Sequence, residues 1–285
     1  MIIDVGPYKY RLSNVPASLH AELVDLYGSA ASSANSFVDF DIQIKSTSLI
    51  RRFVKPQVVI EIEGQQPFNP IPPSKLLPSI EWAMNWCVAA YDHSKLLFHS
   101  GVAVKNNQAI LFPAQSGSGK STLSTYLGLN GWRLYSDEMA IIDLNTLKVH
   151  PVFRPSSLKN QSITIISELF PNATISSITK NTHKGDIAHA QTNDYSRFKA
   201  YEACDICAVV FLNYEKQCEQ KVEELEKAVG FSHMLLNAFN YSVIGEPAFH
   251  ALAALANQVR FFDTTYSDMA FVDDFASDIA NRNID

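Results

Sequence analysis

Ala114-Gln-Ser-Gly-Ser-Gly-Lys-Ser121 is the stretch that decides how this chain is read. An apolar run, Gln108-Ala-Ile-Leu-Phe112, leads straight into it, and Ser121 to Leu129 has the composition of a helix behind it. Strand, glycine loop and helix in that order make the P-loop arrangement. Gly117 and Gly119 let the backbone turn its N–H groups inward around phosphate oxygens. The following helix adds its own N–H groups and the positive end of its dipole. Lys120 sets a point charge against the β- and γ-phosphates, and the Ser121 hydroxyl is a hard oxygen suited to Mg²⁺. Ser116, Ser118 and Thr122 complete the residues expected to line the nucleotide. The motif's first glycine is Ala114 here, which a negative φ tolerates. The competing account is a Gly/Ser-rich turn before a helix, and the apolar strand ahead of the loop argues against it. ATP with a divalent metal is the expected ligand.

Working outward, Leu97-Phe-His-Ser-Gly-Val-Ala-Val104 reads as a strand joined to Gln108–Phe112 by Asn106-Asn107. Trp132-Arg-Leu-Tyr135 is a further short strand, ending at Ser136-Asp-Glu138. In a parallel sheet it would neighbour the P-loop strand, with its C-terminal end facing the phosphates. Asp137 and Glu138 would then hold metal and accept a proton from a hydroxyl. The alternative is a solvated acidic turn. Ile206-Cys-Ala-Val-Val-Phe-Leu212 is a continuous apolar run, as in a strand buried on both faces. Residues 223–239 and 248–259 look helical, the first interrupted at Gly230, and 259–265 looks like a late strand.

Residues 1–94 form a separate α+β region ahead of a second region at 95–285. Strands are expected at 8–12, 37–44 and 58–62, and helices at 18–27 and 75–91. The proline-rich stretch Pro67-Phe-Asn-Pro-Ile-Pro-Pro73 reads as a linker.

The bulk chemistry narrows the field. The 285 residues carry a net charge of −6 and no Lys/Arg-rich run, which argues against general nucleic-acid binding. No stretch approaches the roughly 20 apolar residues of a membrane span, and Met1-Ile-Ile-Asp-Val lacks the pattern of a signal peptide. A cytoplasmic protein with no membrane or nucleic-acid partner is expected. Four cysteines are too few for a disulfide framework, and Cys204-Asp-Ile-Cys207 is read as small apolar packing.

From His99 to Asp143 the chain resembles the catalytic domain of HPr kinase/phosphorylase. The resemblance rests on His99-Ser-Gly-Val-Ala-Val, Gln115-Ser-Gly-Ser-Gly-Lys-Ser and Gly131-Trp-Arg-Leu-Tyr-Ser-Asp-Glu. It is more similar still to the HPr-kinase-related kinase A group. Ser-Asp-Glu, Arg154-Pro-Ser-Ser-Leu-Lys-Asn160, Lys184-Gly185 and Asn237-Ala-Phe-Asn-Tyr241 match that group's segments. The resemblance covers roughly 95–270. It implies an α/β fold with a P-loop kinase core, akin to phosphoenolpyruvate carboxykinase, in residues 95–285, with 1–94 as an N-terminal α+β lobe. It also implies ATP-dependent phosphorylation of a serine hydroxyl on a protein or peptide, Asp137 as general base and Glu138 beside the metal. Thr122 replaces the family's acidic residue, and its phosphorolysis segment is not recognisable. Kinase activity is therefore carried over, and neither phosphorylase activity nor HPr as substrate.

Other residues keep two readings. His99 either orients Asp137 and offsets phosphate charge, or is a hydrogen-bonded structural histidine. Arg154 and Lys159 either clamp the transferred phosphate or are loop cations, and Lys184, beside His183 and near His189, stands the same way. The alternative functions are a small-molecule kinase of the shikimate or gluconate class, an ABC-type ATPase and a nucleotide-binding regulator. The ABC reading lacks its Leu-Ser-Gly-Gly-Gln signature. Homo-oligomerisation is left open.

Overall fold

The computed structural model describes residues 1–33, 36–47, 55–114 and 117–282. It is a mixed α/β protein that divides into two compact units: Met1–Tyr91 with Phe153–Ala200, and Asp92–Val152 with Tyr201–Asp285. This differs from the expected division at 94 and 95, because residues 153–200 join the N-terminal unit.

Unit 1 has a five-stranded sheet in the order Ala31–Ser32, Ile2–Asp4, Lys9–Ser13, Phe40–Ser46, Val58–Ile62. Helices Ala17–Tyr27 and Leu76–Tyr91 accompany it. Along the second helix Leu76, Leu77, Ile80, Ala83, Met84, Cys87 and Val88 are buried, the spacing of an amphipathic stripe. The strands and helices expected in residues 1–91 all form, with ends shifted by a few residues.

Local chemistry explains why 153–200 belongs here. Phe153 donates its N–H to the Val5 carbonyl (2.9 Å) and packs its ring on Tyr195 and Phe198, with centroids 5.0 and 5.1 Å away. Arg154 donates to the buried Glu81 carboxylate from Nε (3.0 Å) and from Nη2 (2.6 Å). A three-stranded antiparallel sheet follows, in the order Ser156–Lys159, Gly185–Ala190, Thr179–Thr182, together with helix Gln161–Leu169.

Unit 2 is built on an eight-stranded mixed sheet. Its path runs Val149–His150, Met139–Asp143, Lys95–Lys105, Gln108–Pro113, Asp205–Tyr214, Arg260–Tyr266, Lys221–Leu225, and Arg133–Ser136 pairs beside Lys95–Lys105. Residues 95–105 and 108–113 form the expected hairpin, with Lys105 opposite Gln108. Asn106 and Asn107 both take positive φ (52° and 60°), as a two-residue turn between twisted strands requires. Ile206 to Leu212 are buried in sequence, and their strand lies parallel to both Gln108–Pro113 and Arg260–Tyr266.

Helices cover both faces of this sheet. Ala109 and Leu111 share one core with Leu252 and Leu255 of helix Glu246–Gln258. Ile110 and Phe112 share the other with Leu123 and Leu127 of helix Lys120–Leu129 and Val272 and Ala276 of helix Met269–Arg282.

Three expectations need correction. Arg133–Ser136 does not neighbour Gln108–Pro113, because Lys95–Lys105 lies between them, antiparallel to both. The two outer strands still run in the same direction, so the order changes and the shared end of the sheet does not. Residues 223–225 are not helical, because Lys221–Leu225 is an edge strand antiparallel to Arg260–Tyr266, and the helix runs only Lys227–Leu235, since Ala238 is drawn into a bridge with Phe98. Glu223 and Glu224 favour helix by propensity, but pairing at the sheet edge overrides it. Gly230 does not break that helix; an added Cβ would lie 2.1 Å from the Phe261 ring, so the glycine lets the helix press onto the sheet.

Candidate functional site

The glycine loop leaves the sheet where Pro113 pairs with Ser100. Ser116 and Gln115 lie outside the described residues. Gly117 and Gly119 adopt φ of +97° and +84°, backbone that side-chain-bearing residues rarely take. Gly119 caps helix Lys120–Leu129, whose first-turn N–H groups have no partner within the helix itself. A Cβ at Gly119 would also lie 2.5 Å from the Tyr266 hydroxyl, which donates to the Ser118 carbonyl at 3.4 Å. Tyr266 therefore braces the loop from the end of a strand two places away in the sheet. Ser121 and Thr122 are half-buried in the helix's first turn, and the Ser121 carbonyl accepts from the Thr125 hydroxyl at 2.7 Å.

Lys120 is buried, with 6% of its surface exposed. Its Nζ donates to the main-chain carbonyl of Asp137 at 2.8 Å. Gly101, in the strand between them, makes the passage: a Cβ there would lie 2.3 Å from Ser124 Oγ and 3.7 Å from Lys120 Cγ. A glycine inside a strand marks such close approach, and that signal was present in His99-Ser-Gly-Val.

Asp137 and Glu138 lie at a bend between Arg133–Ser136 and Met139–Asp143, both paired with Lys95–Lys105. The Ser136 hydroxyl oxygen accepts the N–H groups of Glu138 (3.2 Å) and Met139 (2.9 Å), and the Glu138 carbonyl accepts from Ser100 N–H (3.0 Å). The acidic turn is thus fixed from both sides, Asp137 buried and Glu138 half-buried. A freely solvated turn does not describe it.

Where Gln108–Pro113 ends, Asn237–Asn240 takes over pairing with the strand. His99 N–H donates to the Asn237 carbonyl and Phe239 N–H to the Leu97 carbonyl, each at 2.8 Å. The buried Asn240 accepts from Leu97 N–H (3.0 Å) and donates to the Lys95 carbonyl (2.8 Å). The His99 ring packs edge-on against Phe239, centroids 5.7 Å apart. This segment places His99, and no expectation had given it that role.

The structure therefore brings Gly117, Ser118, Gly119, Lys120, Ser121, Thr122, His99, Asp137 and Glu138 into unit 2. Arg154 and Lys159 belong to unit 1. Arg154 is not a loop cation. Burial alone would lower its pKa, but the Glu81 carboxylate, with smaller help from its other neighbours, brings the net shift upward, so the guanidinium stays charged. Its guanidinium also donates to Asn85 and to the Glu81 carbonyl. These bonds commit it to holding unit 1 together.

Among the described residues no group of three or more His, Cys, Asp or Glu side chains gathers to hold a metal. Ser121, Asp137 and Glu138 carry hard oxygens, the donor chemistry that Mg²⁺ prefers. A cavity of about 410 Å³ lined by Glu22, Asp25, Leu26 and Thr174 to Ser177 belongs to unit 1 and contains none of the expected site residues. No protein-family model and no curated protein matches this chain. Among the described residues no helix is long and apolar enough to cross a membrane.

Proposed function

We propose that the chain is an ATP-dependent phosphotransferase with a P-loop kinase core of the HPr-kinase type, acting on a serine hydroxyl of a protein or peptide. The observation that carries this reading is the 2.8 Å contact between Lys120 Nζ and the Asp137 carbonyl. It joins the loop's cation to the main chain of the acidic turn. The left-handed glycines and the helix N-terminus receive the phosphates, and Lys120 sets its charge on the β- and γ-groups. Ser121 and Glu138 would hold Mg²⁺, which would neutralise triphosphate charge.

Asp137 accepts the proton of the acceptor hydroxyl. The serine oxygen forms its bond to the γ-phosphorus as the bond from that phosphorus to the β–γ bridging oxygen breaks, and ADP leaves with the bridging oxygen's electrons. His99, pinned through its backbone and stacked on Phe239, is a positioning residue at the base of the site.

The test is transfer of radiolabel from γ-labelled ATP to a serine peptide library with Mg²⁺, compared with Asp137→Asn. Label on serine in the wild type alone supports the reading. Label on neither peptide nor water in either protein overturns it, and label on a small hydroxylated metabolite instead would establish the small-molecule kinase alternative.

A further inference from the structure

Tyr214 ends the strand Asp205–Tyr214, which runs parallel to Gln108–Pro113 and next to it. Its C-terminal end therefore emerges at the edge of the sheet from which the glycine loop leaves. Side chains alternate along a strand, so Val210, Leu212 and Tyr214 share one face. Val210 and Leu212 lie in one core with Leu123 and Leu127 of helix Lys120–Leu129. Tyr214 is the residue of that face beyond the core, level with the start of the helix. A Cβ added at Gly119 would lie 3.2 Å from the Tyr214 Cβ, so the tyrosine stands directly against the loop.

Its ring is left in water. Tyr214 is 44% exposed, against 1% for Tyr266, its partner across the parallel strand pair. The two rings meet edge to face, with centroids 5.6 Å apart and planes at 70°. Tyr266 is itself held by burial and by its hydroxyl bond to the Ser118 carbonyl. A large aromatic surface is thus supported from below and open above. A ligand that covers it gains area and orders little that was mobile.

The order of strands decides which part of a ligand arrives there. Arg133–Ser136 and Met139–Asp143, which bracket the acidic turn, lie on one side of Gln108–Pro113, beyond Lys95–Lys105. Asp205–Tyr214 lies on the other side. Ligands of such sheets bind outside the carboxyl ends of the strands. A nucleotide whose terminal phosphates face Asp137 and Glu138 extends its sugar and base away from them, across the loop and toward Tyr214. We infer that the Tyr214 ring is the stacking platform for the base of the bound nucleotide. The inference rests on the reading of the loop as a nucleotide site, and assigns the part of the ligand beyond the phosphates. Every base presents a flat π-surface to such a ring.

The test compares Mg-ATP with Mg-tripolyphosphate, which offers a chain of three phosphates and no base, by calorimetry on the full chain. Tyr214→Ala is expected to lower the ratio of ATP affinity to tripolyphosphate affinity by about tenfold or more, and Tyr214→Phe to keep the wild-type ratio. Tyr214→Trp gives a second readout that stands if the alanine variant fails to fold. Its added indole emission should change with Mg-ATP and stay constant with Mg-tripolyphosphate, measured against the wild type. An unchanged ratio in folded Tyr214→Ala overturns the inference and leaves the nucleotide reading of the loop intact. So does added emission in Tyr214→Trp that responds to both ligands alike, or to neither while ATP binds. Binding of neither ligand by the wild type is a different result, which removes the nucleotide reading and this inference with it.

Discussion

The Lys120 ammonium and the Asp137 carbonyl meet at 2.8 Å across the bare backbone of Gly101. The bond serves two ends, holding a buried cation and fixing the turn that carries Asp137 and Glu138. Lys120→Ala is therefore expected to act twice. Calorimetry with Mg-ATP should show loss of binding, since the charge on the β- and γ-phosphates is gone. Without nucleotide the variant should lose about 1–3 kcal/mol of stability, because a buried carbonyl loses its donor. Unchanged affinity would remove the glycine loop from the nucleotide site.

Asp137→Asn keeps the size of the side chain and removes its basic oxygen. Phosphoryl transfer, or slow ATP hydrolysis as its surrogate, is expected to fall by about 10²–10⁴-fold. Mg-ATP affinity should hold or rise as a negative charge facing the phosphates disappears. Glu138→Gln should mainly raise the Mg²⁺ concentration needed for half-maximal rate. The opposite pattern would exchange the two roles.

Gly101→Ala pushes a methyl group to 2.3 Å from Ser124 Oγ. The helix carrying Lys120 must shift, and overpacking of this kind costs about 1–3 kcal/mol. Adding Ser124→Ala removes the nearest clashing atom and should restore much of the melting temperature. If the double variant is no more stable than Gly101→Ala alone, the clash is not the cause.

Arg154→Ala leaves the Glu81 carboxylate, 4% exposed, without its counter-charge. A loss of about 3–5 kcal/mol is expected, read by urea unfolding. Replacing Glu81 as well, in Arg154→Met/Glu81→Leu, should recover part of it. A variant with normal stability and weakened nucleotide binding would instead make Arg154 a phosphate clamp.

Asp143 closes the turn between Met139–Asp143 and Val149–His150. Its Oδ1 accepts the N–H groups of Asn145 and Thr146, each at 2.9 Å, and Lys95 Nζ lies 3.3 Å from Oδ2. The Thr146 N–H leads in lowering its pKa to about 2, against the opposing effect of burial, with Asn145 and Lys95 helping. The folded value is below the unfolded value of about 3.9, so the stabilisation is complete above that pH and fades as pH falls through about 2. Asp143→Ala should be less stable than wild type by about 1–3 kcal/mol near neutrality, and thermal melts of the two should converge in strong acid.

What could be read from the sequence was local. Asn106-Asn107 announces a tight turn because few residues accept two successive positive φ angles, and Gly117 and Gly119 announce a left-handed loop before a helix for a similar reason. Distant partnerships left no such mark. Nothing near Glu223 signals that Arg260–Tyr266 offers it a strand edge. Tyr266 is buried in the core, yet its hydroxyl also braces Gly119. Arg154 could be read only as a phosphate clamp or a loop cation, because its partner, Glu81, lies 73 positions earlier in an apolar helix. Gly101 was legible in principle, being a glycine inside a strand, but only the structure reveals what passes over it.

Unit 1 is assembled from two stretches of chain separated by residues 92–152. During synthesis this becomes a matter of timing. Glu81 leaves the ribosome well before Arg154, and the rings of Tyr195 and Phe198 that close around Phe153 come later still. The first ninety-one residues hold all five strands and both helices of their layer, but must wait for residues 153–200 while the glycine loop and its hairpin are made. Their apolar faces are open to chaperones and to other nascent chains for that interval. A stop codon anywhere before Phe153 would therefore release an orphaned half-unit whose buried carboxylate has no cation to meet.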